Sequence, residues 1–406
     1  MKILVVEPGS QYFKERFIRE FTNCPFELFL LVNSSPRIPH SHWYHRYIPQ
    51  TRVFSADFRN TREAAKSVRE QLTAQGIRLS GVTTYYEDAV LVAQAIAEEL
   101  SLPPITTGDP LALRNKNLMR LRFAEAGLPQ PRSILCRTMT EAEGAIRQIG
   151  FPCVVKPSQL SASIGVRKIS SGGTEIDHAL RAAFTDDIRE EDTRHAYDIP
   201  AEIVVEEYIP TYQEVSCEGL VHAGEVQLLA VTRKYLSPEP LFDEIGHATP
   251  YQVADEVRAT LAEQLSRAAD SLKLYNTAFH AEFRLRDGAP PVIVELGARL
   301  PGGFIPQLVR LSRGVDMLEA SLRLAVGLEC NVVPQNIAVA AIRFMQDDAT
   351  ARRFALAADQ IRALTFVDEI AIYDGVGLGR RGHVIWTARN FSDMEDGWEK
   401  IITRAL

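Results

Sequence analysis

HAEFRLRDGAPPVIVELGARLPGG, residues 280–303, combines a hairpin pattern with charges that a protein core would not tolerate. HAEFRLR and PPVIVEL read as strands, and DGAPP between them reads as a turn, so the spacing predicts a β-hairpin. Glu282 and Glu295, thirteen residues apart, then fall on neighbouring strands with apolar residues on either side. Beyond the second carboxylate come Gly297, Arg299, Gly302 and Gly303, a mixture that points to a ligand. Paired carboxylates at such a spacing suit Mg²⁺, which takes oxygen donors and often uses one or two carboxylates plus nucleotide phosphates. Two solvated acids in a hairpin is the competing reading of the pair taken alone.

The chain around this hairpin has 406 residues, too many for one ordinary core. At about 100–200 residues per domain, two to four domains are expected. Apolar residues at 46% and charged residues at 24% are ordinary for a globular protein. A formal net charge of −7 argues against a nucleic-acid partner, which normally needs a basic face, and leaves small anionic ligands open. Cys24, Cys136, Cys153, Cys217 and Cys330 show no CxxC spacing, the pattern of free thiols in a reducing, cytoplasmic setting. MKILVVEPGS reads as a first strand and turn, not as a signal peptide. No stretch approaches the roughly 18 apolar residues of a membrane span, so no membrane partner is expected.

KILVV, QYFKERFIREF, FELFLLV, GVTTYY and DAVLVAQAIAEEL alternate strand and helix, which predicts a parallel α/β domain over residues 1–110. After the turn-rich LPPITTGDP, residues 111–210 supply a helix, the strands FPCVVKP, GVRKIS and EIVVEEYI, and a polar insertion at 186–200 read as exposed. Residues 211–335 open with a predicted hairpin turning at His222–Gly224 and continue into LSPEPLFDEIGHATP (236–250), read as a long irregular loop. A last segment, 336–406, contributes strands such as AVAAIRF and EIAIY and a closing helix. The expected fold class is therefore α/β and α+β.

PSQLSASIGV (157–166) joins two predicted strands, with Lys156 immediately before it. Small residues let backbone N–H groups approach a polyphosphate and a lysine neutralises it, although a plain surface loop reads equally well. It is no Walker A loop, since GxxxxGK[ST] is absent.

Taken in order, NKNLMR, VVKPSQLSASIGV, VVEEYI, QEVSCEG, HAEFRL and VELGARLPGG resemble the ATP-grasp ligases over essentially the whole chain. The resemblance implies an ATP-grasp fold with an N-terminal parallel α/β domain, two grasp subdomains and a small C-terminal subdomain. It also implies ATP and Mg²⁺, with Mn²⁺ as a substitute, and a homodimer. Lys116 and Lys156 would contact ATP, beneath a lid from Ser158 through Ser161 and Ser163 to Gly165. Glu206, Glu207, Tyr208 and Ile209 would meet the adenine edge, Glu214 the ribose, and Glu282 and Glu295 the metal.

Most relatives carry asparagine two positions after the second metal glutamate, where this chain has Gly297. A small residue there, with Arg299 and the glycines following, resembles the L-amino-acid ligases that form dipeptides. In those enzymes an acid and a histidine fall where Glu244 and His247 stand, facing amino-acid substrates; Gly302 and Gly303 let backbone or substrate approach closely, or form a structural turn. Arg299 would sit beside the γ-phosphate and the reacting carboxylate, with Lys234 a second candidate cation. An arginine about 4 Å from a phosphoryl oxygen contributes on the order of 4 kcal/mol at an effective dielectric near 20. The implied activity is amide formation between an amino-acid carboxylate and the amine of a second amino acid, through an acylphosphate, in making a peptide natural product. The alternatives are a ligase or carboxylase of the purine or bicarbonate type, and a non-catalytic nucleotide-binding protein.

Overall fold

The computed structural model describes residues 1–9, 11–35, 43–161, 163–184, 197–238, 242–330, 332–377 and 379–405. Most of the polar insertion expected at 186–200 lies outside these residues. Three sheets organise the described chain. The first contains β1 (Lys2–Val6), β2 (Glu27–Asn33), β3 (Val53–Ala56) and β4 (Gly81–Thr83) in the order β3-β2-β1-β4. All three pairings in it are parallel, and the near-continuous burial of β1 and β2 is what a sheet covered on both faces requires.

The second sheet is small, with β5 (Ser133–Cys136), β6 (Cys153–Pro157), β7 (Arg167–Ile169) and β8 (Ile203–Glu207) in the order β5-β8-β6-β7. Helices Met139–Ile149 and Thr174–Phe184 cover one face through Ala142, Ile146, Leu180 and Ala183, all buried with the strands.

The third sheet has eight strands: β9 (Gln213–His222), β10 (Glu225–Leu236), β11 (Glu244–Thr249), β12 (Asn276–Arg286), β13 (Ala289–Gly297), β14 (Val339–Met345), β15 (Val367–Gly377) and β16 (Arg380–Ala388). Their order is β13-β12-β9-β10-β11-β14-β16-β15, so the strands of 336–406 continue the sheet begun by 211–335. The predicted β9–β10 hairpin is present with its turn at Ala223 and Gly224.

One expectation is corrected. The stretch read as an irregular loop contains β11, paired with β10 on one side and β14 on the other; residues 239–241 lie outside the described chain. EIGHAT hides this strand because it lacks a β-branched run and contains a glycine, so long-range pairing makes the strand.

Leu261, Leu265, Ala268 and Leu272 put one face of the helix Asp255–Ser271 and its C-terminal cap against the sheet, at about 2 kcal/mol per buried leucine. This packing fixes the hairpin β12–β13 that carries the two carboxylates. All five cysteines are free thiols, and no helix among the described residues is long and apolar enough to cross a membrane.

Candidate active site

Alternation along paired antiparallel strands puts directly opposed residues on one face. In β12 and β13 the opposed pair is Glu282 and Glu295. Both carboxylates stay partly accessible, at 22% and 28% side-chain exposure, and each holds a lysine: Glu282 binds Lys234 Nζ at 2.7 Å and Glu295 binds Lys116 Nζ at 3.1 Å. Two facing hard-oxygen donors with cations already on them fit a divalent metal ion. No cluster of three or more His, Cys, Asp or Glu ligands occurs among the described residues. Phosphate and water oxygens would have to complete such a shell.

Lys234 is the centre of a larger knot. Its ammonium lies 3.1 Å from Glu214, 3.1 Å from Glu244 and 2.7 Å from Glu282. Burial works against its charge, but Glu282, Glu214 and Glu244 outweigh burial and hold its pKa well above the usual lysine value. Glu214 also pairs with Arg284 at 3.1 Å, and Glu244 with Arg380 at 3.3 Å. His280 bridges Glu218 at 3.0 Å and Glu282 at 3.4 Å; against burial, those two carboxylates raise it to about 9. The expected ribose acid and the expected substrate acid thus share one buried cation.

His247 lies on β11, 1% exposed, with neither ring nitrogen hydrogen-bonded and Nε2 3.6 Å from Glu244. Burial is the main reason its imidazole is held at about 3, which keeps it neutral. Gly303, at φ +59°, presses its backbone onto the ring, because a Cβ there would come 2.5 Å from Nε2. Gly302 meets no such obstacle.

Around the expected nucleotide loop, Lys116 Nζ donates to the Leu160 carbonyl at 2.6 Å and its backbone N–H donates to Ser158 at 2.8 Å. The helix Lys116–Glu125 can start there because the Asn115 side chain caps it, accepting from Leu118 N. Ser158 is fully buried, Ser161 and Ser163 lie in the turns that follow, and a Cβ at Gly165 would meet Pro157 at 2.9 Å. Lys156 pairs with Glu206 at 2.7 Å, and Arg120 binds the same carboxylate at 2.9 Å. Burial opposes the charge on Glu206, yet the two cations hold it at about 2. Glu207 faces outward to Arg132, Lys168 covers the Tyr208 ring at 4.0 Å, and the Ile209 carbonyl accepts from Arg284 at 2.8 Å.

Arg299 reaches back to the short helical turn Glu87–Ala89 after β4, where it pairs with Glu87, and it donates to its neighbour's carbonyl, Leu300, at 2.7 Å. Glu87 also binds Arg114 at 2.8 Å, while Arg114 pairs with Asp88 and donates to the Gln159 carbonyl at 2.5 Å. Burial would raise Glu87, but Arg299 and Arg114 dominate and hold it at about 2. The sequence reading missed Glu87, Asp88, Arg114, Arg120, Arg284 and Arg380. YYEDAV and LALRNKN look like ordinary helix starts, and only the folded chain brings their charges to the end of β13.

This cluster explains Gly297. A Cβ at position 297 would stand 3.1 Å from Glu87 Oε2, so a side chain there would have to push aside the carboxylate that holds Arg299. Gly297→Asn is expected to destabilise the protein by about 1–3 kcal/mol, as overpacked interiors do, read as a lower denaturant midpoint. An unchanged midpoint would mean that Glu87 does not stand in the way of that side chain.

Residues 149–307 match the family model described as ATP-grasp domain. Alanine–anticapsin ligase of Bacillus subtilis (strain 168) is 29% identical over 221 residues, which is 52% of this chain and 46% of that protein. The chain thus spans about half the length of that curated relative. Carnosine synthase 1 of Homo sapiens is 25% identical over 283 residues, 67% of this chain and 34% of that protein. The crystal structure of an L-amino acid ligase from Bacillus licheniformis superposes with a TM-score of 0.79 at 21% identity, covering 99% of this chain and 97% of the other. Residues 149–307 of this chain thus carry an ATP-grasp domain, the whole chain shares the fold of the L-amino acid ligase, and about half of it is similar in sequence to alanine–anticapsin ligase.

Proposed function

We propose that the protein is an ATP- and Mg²⁺-dependent ligase that joins the carboxylate of one amino acid to the amine of another, releasing ADP and phosphate. The observation that carries this reading is the opposed pair Glu282 and Glu295 with Lys116 and Lys234 upon it and Arg299 at the exit of the same strand. The similarity to alanine–anticapsin ligase and carnosine synthase 1 supports an amino-acid substrate class.

In this reading Glu282 and Glu295 hold Mg²⁺, which when bound neutralises phosphate charge. Lys116, Lys156 and the loop from Ser158 through Ser161 and Ser163 to Gly165 bind the phosphates, the strand end Glu206–Ile209 the adenine, and Glu214 the ribose. A substrate carboxylate oxygen bonds to the γ-phosphorus as the bond to ADP breaks, giving an acylphosphate. The amine nitrogen then attacks the acyl carbon, phosphate leaves, and the nitrogen loses one proton. Arg299 stabilises the negative charge gathered in the first step, where preorganised cations act most strongly. Glu244, 26% exposed, keeps lone pairs for the substrate ammonium beside those used by Lys234 and Arg380. His247, neutral at physiological pH and with both ring nitrogens closed off, acts through its place beside Glu244, 3.6 Å from Nε2; an imidazole held near 3 stores no proton there.

Incubation with ATP, Mg²⁺ and pools of amino acids tests the reading through phosphate release and product mass. The expected result is amino-acid-stimulated phosphate release with a product lighter than its two substrates by one water. Stimulation by bicarbonate or a ribonucleotide amine alone would transfer the protein to the purine-type ligases. Binding of ATP without turnover under every condition would make it a nucleotide-binding protein without this chemistry.

A further inference from the structure

Lys14 belongs to the helix Gln11–Phe21 of the N-terminal sheet region and plays no part in the chemistry above. Its Nζ lies 5.1 Å from the Phe17 ring centre and 5.3 Å from that of Tyr85, two rings stacked 4.8 Å apart. The Gly9 backbone packs so closely on its stem that a Cβ there would come 3.1 Å from Lys14 Cγ. Aromatic faces and a tight stem hold the ammonium in one place, whereas a surface lysine would sweep through solvent.

Tyr85, whose ring Lys14 meets, stands two residues before Glu87, and Glu87 pairs with Arg299, which puts Lys14 close to that pair; through space Arg299 lowers and Glu87 raises the Lys14 pKa. Glu87 is already shared by Arg299 and Arg114, and among the described residues no carboxylate lies within ion-pair distance of Lys14 Nζ. Glu87 and Asp88 are taken up by Arg114 and Arg299, and Glu295 by Lys116, so the ion pairs of this cluster leave Lys14 outside them. Burial first, and then Arg299, push Lys14 down to about 7, as happens to an ammonium that lacks its counterion. An anion arriving beside Arg299 would restore the charge balance.

Resting on the ligase reading above, three anionic groups must be placed: the ATP phosphates, the carboxylate being activated, and any carboxylate on the amine substrate. Lys116 and Lys156 serve the first and Arg299 the second. We propose that Lys14 binds the free carboxylate of the amine-donating substrate, so that the enzyme selects an amino acid over a simple amine. The cation comes from the N-terminal domain, which already supplies Glu87 and Asp88 to this cluster and accordingly contributes a specificity-determining residue as well.

The test compares an amino acid that the wild-type protein ligates with the carboxamide of that same amino acid as amine donor. Lys14→Met is expected to raise KM for the free acid by about 10- to 100-fold, the loss of one partly buried ion pair, with kcat within about threefold. KM for the carboxamide should stay within about twofold, and Lys14→Arg should keep the preference for the acid. Lys14→Gln serves the same comparison if Lys14→Met does not fold. Equal changes for acid and carboxamide, or no change for either, overturn the proposal. Absence of any amide product from wild-type protein overturns the ligase reading and this inference with it, whereas normal wild-type turnover with an insensitive Lys14 variant overturns this inference alone.

Discussion

Turnover falls by about 100- to 1,000-fold when Arg299 becomes alanine, while the melting transition stays close to that of the wild type; this is the expected result. Phosphoryl transfer to a carboxylate brings negative groups together, and one guanidinium near them is worth on the order of 4 kcal/mol at an effective dielectric near 20. The fold tolerates the loss because Glu87, which would be left buried, still has Arg114 at 2.8 Å. Removing one partner of a buried pair is costly chiefly when the other is left without a counterion. Arg299→Lys should recover only part of the activity, since an ammonium keeps the charge and loses the planar fork that can hold Glu87 and a substrate oxygen together. Steady-state kinetics with the best amino-acid pair decide the matter. A kcat/KM within threefold of wild type in Arg299→Ala would remove this residue from the reaction.

Glu295→Gln is expected to lower phosphate release by at least about 100-fold and to raise the Mg²⁺ concentration needed for half-maximal rate. The substitution keeps shape and removes charge. It also leaves the Lys116 ammonium with the Leu160 carbonyl as its remaining contact from the loop. Glu282→Gln has different consequences for structure, because Lys234 retains Glu214 and Glu244. The two variants should therefore lose activity alike but differ in stability. Chelation of divalent metal should stop phosphate release in the wild type. Unchanged Mg²⁺ dependence in Glu295→Gln would rule out its carboxylate as a metal ligand.

Local pattern was enough to read the elements that sequence neighbours build. The parallel opening unit, the hairpin β12–β13 and the hairpin β9–β10 follow from periodicity and turn residues, and each has its expected partner. β11 was hidden because Glu244 to Thr249 becomes a strand only through distant partners, among them Ile342 opposite His247. The same physics divides the site. Glu282 and Glu295 were visible because one turn sets their register. Glu87 and Arg114 were not, because their charges acquire meaning only where the N-terminal sheet meets the end of β13. Lys14 was passed over for a similar reason: on an amphipathic helix, nothing local separates a solvated lysine from one held against a stacked pair of rings. At Gly297 the sequence marked the position, and the structure supplied the cause, a carboxylate from 210 residues earlier in the chain.

The continuation of the large sheet through β14, β16 and β15 has a practical meaning for anyone wishing to shorten this protein. A chain cut after residue 335 would turn β11 into a sheet edge, with the backbone groups now satisfied by β14 left open to pairing with other molecules. It would also take away Arg380, and with it one of the two cations that neutralise Glu244. The last seventy or so residues are consequently inseparable from the centre of the sheet, and a chain trimmed of them is expected to aggregate through the exposed edge.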